Sequence, residues 1–449
     1  MPTTLLCADT ILTLDTQDTR YAPGYLVLEG DRIREVGPQA ALAGRHFDAE
    51  ITLKNRLLMP GLINAHTHTP MVLFRGLAEP YSLFTFEGWY EGIRSWEAVL
   101  EADMIADAVA VSCAEMIRTG TTCFADQYFY MDHITPVVEQ SGLRAALAYG
   151  IVEMGDAAAR ERELGAAATF LESIQGHPRL KGWVGPHAFF VDNSPKAIEL
   201  ELALADRFET GLHFHLATSG EEERHCREHF GCGAVQQMER LGILKRRLLA
   251  AHSITIPSED FPTLARYPFT AVIAASACMR SGAEIAALDA MRRAGINIAL
   301  GTDNVANNNS YDMFNEMQTT AKLMSLREKC PAAVPARDIL RMATLGGARA
   351  LGLENETGSL EVGKKADLIT LSLDDIGWAP DADLSGTAVE TALVYSVSGM
   401  HVRDVMVDGA WLLRDGAWLT LDYAESRSRL NAAFVRLKAR RKEGQRLGG

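Results

Sequence analysis

Short apolar runs alternate with helix-length segments through most of the chain. From Leu57 to about Gly358, apolar runs of 4 to 8 residues are separated by helix-like stretches of 12 to 20 residues. The runs lie in PGLINAHTH, GTTCFADQY, RAALAYGIV, LKGWVGPHA, GLHFHLA, LLAAHSI, FTAVIAA and INIALGTD. Eight strands with helices between them predict an α/β fold, a (β/α)8 TIM-like barrel over residues 57–359. In such a barrel the functional side chains lie at the C-terminal ends of the strands.

The two ends of the chain show a different pattern. Residues 1–56 and 360–420 alternate between apolar and polar positions in short runs such as ILTLDT, GYLVLEGDRIREVG and VRDVMVDGAWLLRDGAWL. A period of two is typical of antiparallel strands with one buried face. Both ends are therefore expected to build one composite β-sandwich, and residues 421–449 are expected to form a C-terminal helix.

Composition and charge narrow the classes of function. The chain has 449 residues, of which 47% are hydrophobic, and a formal net charge of −14 at pH 7. This acidic balance argues against a nucleic-acid partner, because binding of a polyanion draws on clustered positive charge. No stretch approaches the roughly 18 uninterrupted apolar residues of a membrane span, and the N-terminus lacks a basic leader. The seven cysteines form no CxxC pair, so a reducing, cytoplasmic location is expected.

Histidines collect where the predicted strands end. Six of the twelve histidines, together with one aspartate, occupy such positions. They are His66 and His68 on the first strand, His187 on the fourth, His213 and His215 on the fifth, His252 on the sixth and Asp303 on the eighth. Residues i and i+2 of a strand point to the same face, so HTH would present both imidazoles to one point. A single histidine at a strand end is more often a hydrogen-bonded core residue, but random placement would rarely load one rim in this way.

Neutral imidazoles and a carboxylate that face each other suit a divalent cation. Two facing imidazoles repel when both are protonated and bind metal well when both are neutral. A mixed set of nitrogen and oxygen ligands fits Zn²⁺ as the expected ion, with Fe, Mn or Co as alternatives, and leaves a position open for water. The sequence therefore predicts one divalent metal ion at the rim of the barrel.

These motifs together resemble the amidohydrolase superfamily. PGLINAHTH, HFHLA, AAHSI, ALGTDN and the late segment MATLGGARALGLENETGSLEVGKKADLITL carry the resemblance, which spans nearly the whole chain. The most similar branch holds S-adenosylhomocysteine and methylthioadenosine deaminases and the s-triazine (atrazine-type) hydrolases. The resemblance implies one metal with four protein ligands, and it places His252 against the metal-bound water or the substrate. The four ligands would be His66, His68, His215 and Asp303. The fourth strand ends in GPHAFF without the lysine of binuclear relatives, so a mononuclear site is expected.

The implied chemistry is hydrolysis. A divalent ion lowers the pKa of bound water from 15.7 toward about 7, which supplies hydroxide at neutral pH. Asp303 would take the proton from that water and pass it to the leaving group, a task typically worth about 10² to 10⁴ in rate. His252 would orient the nucleophile as it adds to an electron-poor ring carbon.

The segment after the fifth strand departs from this branch. Members of the branch carry glutamate three residues after the fifth-strand histidine, and that acid protonates a ring nitrogen. Here the run is HLATSGEEE, which places Thr218 at this catalytic position. A threonine hydroxyl holds a water or donates a hydrogen bond, but it is too weakly acidic to replace a carboxylic acid. Either Glu221 or Glu222 reaches back, or the enzyme works without this acid. The favoured interpretation of GEEERHCREHF is a solvated first turn of a helix.

The same resemblance assigns the substrate contacts. Trp89 in FEGWYEGIRSWE would pack on the heterocycle, and Glu97 lies near the position where relatives bind sugar hydroxyls. His187 and Asn304 are rim positions with expected substrate contacts. AASACMRSGAEIAAL replaces the HCPxSN run of the deaminases. Its Arg280 would pair with a carboxylate or stack on a planar ring, and a salt bridge at the barrel rim is an equal alternative.

The predicted function is a metal-dependent hydrolase acting on carbon–nitrogen bonds other than peptide bonds. An aminohydrolase of a purine, pterin or s-triazine-like ring is expected. The alternative keeps the same metal-activated water but cleaves a carbamate, amide or carbon–halogen bond, for which the missing glutamate matters less. A non-catalytic scaffold fits less well, because all five metal-site positions are present. Relatives are commonly dimers or larger, so a homo-oligomer that acts on a small molecule is expected.

Overall fold

The N-terminal strands belong to a mixed sheet. The computed structural model of the protein describes residues 2–331, 333–379 and 388–447. The first strands are β1 (Thr3–Leu12), β2 (Arg20–Tyr21), β3 (Gly24–Glu29), β4 (Arg32–Pro38) and β5 (Ala49–Pro60). β5 runs parallel to β1, and every residue of β5 from Leu57 to Pro60 is buried although most of those before are not. The buried end of β5 still belongs to this sheet, and its Leu57 and Met59 join the hydrophobic core shared with the barrel.

A near-closed barrel of eight parallel strands, all within the described residues, comes next. Its strands are β6 (Leu62–Thr67), β7 (Thr121–Tyr128), β8 (Arg144–Ile151), β9 (Leu180–Pro186), β10 (Leu212–Leu216), β11 (Leu248–His252), β12 (Phe269–Ile273) and β13 (Asn297–Leu300). They pair in chain order from β6 to β13. Nearly all their residues are buried, because helices cover the outer face and side chains fill the interior. The predicted (β/α)8 barrel is confirmed.

The seam between β13 and β6 brings the last barrel strand against the first. Gly301 follows β13, and a Cβ atom at this position would lie 2.8 Å from both the Cβ and the N atoms of His66. Glycine therefore permits a close approach that a side chain would prevent. Two residues later, the N–H of Asp303 donates to the carbonyl oxygen of His66 at 3.0 Å. The seam thus places Asp303 beside the first barrel strand.

Helices lie between and after the barrel strands. In chain order they are α1 (Phe86–Trp89), α2 (Ser95–Glu97), α3 (Asp103–Arg118), α4 (Met131–Ser141), α5 (Ala157–Ile174), α6 (Pro195–Arg207), α7 (Glu221–Phe230), α8 (Ala234–Arg240), α9 (Phe261–Leu264), α10 (Ala275–Arg280), α11 (Leu288–Arg293), α12 (Met313–Glu328), α13 (Ala336–Arg341), α14 (Gly347–Leu351), α15 (Ala388–Tyr395) and α16 (Tyr423–Leu447). A π-helix at Tyr90–Arg94 joins α1 to α2. α3 buries residues spaced three or four apart, such as Ile105, Val109 and Ser112, so one face of this helix packs inward. None of the helices in the described ranges has both the length and the hydrophobicity needed to cross a bilayer.

The C-terminal strands complete the mixed sheet. They are β14 (Leu368–Ser372), β15 (Val402–Val407), β16 (Ala410–Arg414) and β17 (Ala417–Trp418). β14 lies antiparallel to β5, with Leu371 opposite Leu57. Both ends of the chain meet in one sheet, as expected, in the order β17-β16-β15-β14-β5-β1-β3-β4 with β2 on β1. The exact domain limits stay a prediction: β5 crosses the expected boundary at residue 56, and α16 begins at Tyr423.

A buried ion cluster joins the barrel to the mixed sheet. Arg144, at the start of β8, is 1% exposed. Its Nε donates to Asp367 Oδ2 at 2.8 Å, and its Nη2 donates to Asp367 Oδ1 at 3.2 Å and to Asp408. Asp367 precedes β14, and Asp408 lies in the turn between β15 and β16. Burial disfavours the charge of Arg144, but the two carboxylates outweigh it and raise the pKa of this guanidinium. The cluster therefore fixes the sheet against the barrel.

Candidate metal centre and active-site cavity

Four imidazoles and one carboxylate converge at the C-terminal ends of the barrel strands. His66 Nε2 and His68 Nε2 each lie 3.5 Å from Asp303 Oδ1, and His215 Nε2 lies 3.3 Å from His68 Nε2. Two overlapping groups have their ligand atoms within 4.8 Å of one another. One group is His66, His68 and Asp303, and the other is His66, His215 and His252. The structure therefore brings the four predicted ligands and His252 to one place, although their roles stay a prediction.

The chemistry of this donor set fits a divalent cation. His66 Nε2 is buried and has no hydrogen-bond partner among the described residues. Burial, reinforced by repulsion from neighbouring imidazoles, holds the pKa of His66 and of His215 well below 6.5. Burial also lowers the pKa of His252 to about 4, despite the attraction of Asp303. These rings are therefore neutral at physiological pH, and their lone pairs together with the carboxylate of Asp303 form a site that a cation would satisfy.

Main-chain carbonyls orient two of the proposed ligands. His68 Nδ1 donates to the carbonyl oxygen of Gln127 at 2.6 Å, and His215 Nδ1 donates to the carbonyl oxygen of His187 at 2.9 Å. Because a carbonyl oxygen only accepts, Nδ1 carries a proton in each ring, and Nε2 is the nitrogen left to face the shared centre. The backbone of the neighbouring strands therefore sets both the tautomer and the direction of these imidazoles.

His213 orients the third imidazole, a role that the strand-end pattern alone does not assign. Its Nε2 lies 2.7 Å from His66 Nδ1, and its side chain is 1% exposed. Burial, with repulsion from His68, lowers the pKa of His213 to about 3, so this ring is neutral. For His66 to offer Nε2 to a metal, its Nδ1–H must donate to His213 Nε2. The signal in the sequence was the HFH run, since His213 and His215 are two residues apart and share a strand face.

Replacing His213 with leucine is expected to weaken metal binding by about 10- to 100-fold, because His66 then loses the group that fixes its tautomer. The retained metal is measured by elemental analysis after dialysis against a graded chelator. His213→Gln places an amide near the former Nε2 position and is expected to recover part of the affinity. His46→Leu removes an exposed histidine and serves as the control. Unchanged metal affinity in a folded His213→Leu protein would contradict the role given to His213.

Strained backbone surrounds the cluster. Asp303, His252 and Ala217 have φ values of 60°, 76° and 53°, which is the left-handed region that non-glycine residues rarely adopt. Each such residue costs on the order of 1 to 3 kcal/mol and is kept only where the surroundings impose it. At Asp303 this support includes a reciprocal pair, in which Asn64 Nδ2 donates to Thr302 Oγ1 at 2.7 Å and Thr302 N donates to Asn64 Oδ1 at 3.0 Å. Such strain is typical of functional sites.

A cavity of about 180 Å³ opens onto the cluster. Apolar side chains form one part of its lining, including Met71, Leu83, Phe84, Trp89 and Ile93. The predicted contacts Trp89, His187, Thr218 and Asn304 also line it. The ring of Trp89 lies 5.5 Å from that of His187. Asn304 Nδ2 donates to Asp303 Oδ1 at 3.0 Å, so this amide also holds the carboxylate in place.

His187 is held in place by the carboxylate of Asp192. Its Nδ1 contacts Asp192, and both residues line the cavity. Burial disfavours the charged ring, but the charge and hydrogen bond of Asp192 outweigh it and raise the pKa of His187. Asp192 therefore fixes the orientation of the His187 imidazole beside Trp89.

Two other predicted contacts have partners within the protein. Glu97 lines a narrower adjoining cavity of about 30 Å³, where its carboxylate accepts hydrogen bonds from Tyr128 Oη at 2.8 Å and from Arg94 Nη1 at 2.7 Å. Arg280 donates to the carbonyl oxygen of Ala78 at 3.2 Å, and it is outside the described lining of the larger cavity. Their roles as substrate contacts stay predictions.

The segment after β10 differs from the favoured interpretation of its sequence. Thr218 is half-buried and faces the cavity. Glu222, in the first turn of α7, is only 3% exposed, whereas its sequence favours a solvated turn. Its Oε1 accepts the N–H of Ala217 at 3.0 Å. Burial, with the charges of Glu221 and Asp192, raises the pKa of Glu222 to about 7. The run GEEERHCREHF indicates that Glu222 lies at the start of a helix, but it does not indicate that the carboxyl group is buried.

Known proteins resemble the whole chain in sequence and fold. The model of the amidohydrolase family matches residues 57–412. A 5'-deoxyadenosine deaminase of Methanosarcina barkeri is 36% identical over 92% of this chain and 93% of its own. A 5-methylthioadenosine/S-adenosylhomocysteine deaminase of Caldanaerobacter subterraneus is 36% identical over 91% of this chain and 93% of its own.

Solved structures agree with these relatives. An adenosine deaminase from Xanthomonas campestris with bound zinc has a TM-score of 0.90 at 28% identity and covers 97% of this chain and 98% of its own. An atrazine chlorohydrolase from Arthrobacter aurescens complexed with zinc has a TM-score of 0.87 at 21% identity and covers 96% of this chain and 100% of its own, which supports the fold alone. The resemblance inferred from the strand-end motifs is confirmed, and the chain belongs to the amidohydrolase family.

Proposed function

We propose that the protein is a metal-dependent aminohydrolase that removes the amino group of an adenine-type ring in a small nucleoside. The observation that carries the proposal is the cluster of neutral imidazoles with Asp303 at the floor of a largely apolar cavity. The deaminase relatives, which match more than nine-tenths of the chain, favour a purine over a pterin or triazine. Trp89 offers a flat apolar face for the ring, and the imidazole of His187 lies beside it.

One zinc ion is the proposed cofactor. Imidazole nitrogens and a carboxylate oxygen are ligands that suit a zinc ion with one coordination position left open for water. Two structural neighbours carry zinc. The tip of β9 ends in Pro186 and His187, where a lysine would be needed to bridge a second metal. His66, His68, His215 and Asp303 would hold the ion. When bound, the metal lowers the pKa of a coordinated water toward about 7.

The protein's own groups then carry the protons. Asp303 accepts a proton from the attacking water and later gives it to the departing amino group. His252 would orient the same water. The ring of Phe84 lies 4.6 Å from this imidazole and holds it in place. Trp89 and the neighbouring apolar side chains exclude bulk water from the ring.

The charge of the cavity predicts which nucleosides are turned over. Its described lining contains no lysine or arginine, whereas Asp192, Glu221 and Glu222 lie within it. An anionic tail would therefore be buried without a partner. We expect kcat/KM for 5'-deoxyadenosine or 5'-methylthioadenosine to exceed that for adenosine 5'-monophosphate by about tenfold or more, which is about 1.4 kcal/mol. Ammonia release by the zinc-loaded protein measures this ratio, and an equal rate with the phosphate would contradict it.

A second candidate function is favoured by Thr218. The same site, without an acid at position 218, would cleave a carbamate, an amide or a carbon–halogen bond. Departure of the leaving group from these compounds depends less on protonation of a ring nitrogen. Turnover of such compounds, together with no ammonia from any adenine nucleoside, would select this alternative.

The assembly and location of the enzyme are also proposals. We propose a cytoplasmic homodimer or larger homo-oligomer without nucleic-acid or membrane partners. All seven cysteines are free thiols, which suits a reducing compartment. Light scattering of the purified protein tests the oligomeric state.

A further inference from the structure

We propose that Glu222 is the proton donor to the ring nitrogen and takes the place of the acid that the chain lacks at Thr218. This inference rests on the proposed deaminase function. It assigns a catalytic role to a carboxyl group four residues beyond the position where the resembling deaminases carry theirs.

The backbone holds Glu222 against the cavity. Ala217 adopts a left-handed conformation immediately after β10, and its N–H donates to Glu222 Oε1 at 3.0 Å. The carbonyl oxygen of Ala217 accepts the N–H groups of Ile254 at 3.0 Å and Thr255 at 2.9 Å. These bonds join the start of α7 to the loop that follows His252. The carboxyl group is therefore fixed relative to the cluster, and it lines the same cavity as Asp303.

The surroundings of Glu222 leave its proton available. No side chain in the described part of the protein donates a hydrogen bond to this carboxyl group. The backbone N–H groups of Ala217 and of Glu222 itself favour its charged form. A buried carboxylate with a structural role is ordinarily paired with a cation. The charged groups that act on Glu222 are Glu221 on α7 and Asp192 in the loop after β9, and both are acidic. Burial and these charges raise the pKa of Glu222 to about 7, so the acid form is present at neutral pH.

The proton balance of the reaction closes with two carboxyl groups. Water divides into a hydroxyl group, which bonds to the amino-bearing carbon, and a proton, which goes to Asp303. The carbon–nitrogen π electrons move to the ring nitrogen, which takes the proton of Glu222. Asp303 then protonates the amino group, and ammonia leaves with the electrons of the broken C–N bond. The new hydroxyl group returns its proton to Glu222 as the carbonyl forms, so both carboxyl groups regain their starting states.

The test compares Glu222→Gln with Glu228→Gln in the zinc-loaded protein. Glutamine keeps an oxygen for the N–H of Ala217 but has no proton to transfer, so kcat for 5'-deoxyadenosine is expected to fall by about 10²- to 10⁴-fold with little change in KM. Glu228→Gln removes an exposed carboxylate near the other end of α7, outside the described lining of the cavity, and is expected to stay within a few-fold of the parent. The double variant Thr218→Glu with Glu222→Gln is expected to regain much of the lost rate. Zinc content and circular dichroism should match the parent in each case.

The pH profile provides an independent measurement. An acid must be protonated to act, so kcat of the parent is expected to fall as pH rises through about 7, and Glu222→Gln is expected to lose this decline. If Glu222→Gln does not fold, Thr218→Glu alone is used, and its decline should move away from pH 7. A parent that holds zinc but releases no ammonia from any adenine nucleoside overturns the deaminase function, and this inference with it. An active parent whose Glu222→Gln variant keeps the same rate and pH profile overturns the role of Glu222 alone.

Discussion

The variant Asp303→Asn is expected to lose about 10⁴-fold in kcat/KM and to retain less zinc than the parent. Loss of a general acid and base typically lowers the rate by about 10²- to 10⁴-fold. The upper end of this range is expected because Asp303 is also a proposed metal ligand. The Oδ1 atom of Asp303 lies 3.5 Å from Nε2 of His66 and 3.5 Å from Nε2 of His68, so the same oxygen is close to both imidazoles. Asparagine keeps the shape of the side chain but removes both the charge and the capacity to carry a proton.

A matched control separates this effect from the loss of a buried carboxylate in general. Asp289 on α11 is 4% exposed, compared with 2% for Asp303, and it pairs with Arg292 and Arg293 away from the cavity. Asp289→Asn is therefore expected to affect stability without affecting zinc content. Steady-state kinetics and elemental analysis of both variants complete the test. An Asp303→Asn protein that keeps its zinc and works within tenfold of the parent would rule out the proposed centre.

The variant Arg144→Met is expected to lower the free energy of unfolding by about 3 to 5 kcal/mol, because removing one partner of a buried ion cluster leaves the others uncompensated. Here the remaining partners are the carboxylates of Asp367 and Asp408, which belong to the mixed sheet and face the barrel. Urea unfolding monitored by circular dichroism measures the change. The loss should exceed that of an ordinary surface substitution several-fold.

An exposed ion pair provides the reference for this measurement. Arg207 and Glu172 lie 2.6 Å apart, and their side chains are 59% and 56% exposed. Arg207→Met is expected to cost less than about 1 kcal/mol, since solvent screens such pairs. The double variant Arg144→Met with Asp367→Asn should recover part of the loss because it removes one of the stranded charges. Equal effects of Arg144→Met and Arg207→Met would show that the cluster does not hold the two sheets together.

The barrel and the cluster could be predicted because both follow from short-range rules. Parallel strands place their C-terminal ends on one rim, and alternate strand residues share a face. HTH on the first strand and HFH on the fifth therefore directed His66, His68 and His215 to one point without any knowledge of the loops. Asp303 followed because the eighth strand closes against the first.

The groups that depend on loop conformation could not be predicted in the same way. The burial of Glu222 requires the left-handed turn at Ala217, which nothing in HLATSGEEE indicates, since alanine rarely adopts it. Glu97 is bound to Tyr128 and Arg94, one on a barrel strand and the other in the π-helix, and this pairing arises only in the folded state. Local sequence patterns therefore locate side chains at the strand ends better than side chains in the loops.

The pairing of β5 with β14 matters while the protein is being made. Leu57 leaves the ribosome long before its neighbour Leu371 exists, and at about 5 to 20 residues per second the delay is roughly 15 to 60 s. During that interval β5 lacks the strand that covers its apolar end in the native state. Nascent chains of this enzyme thus carry an unsatisfied strand edge through most of translation, which gives molecular chaperones a reason to engage the N-terminal segment first.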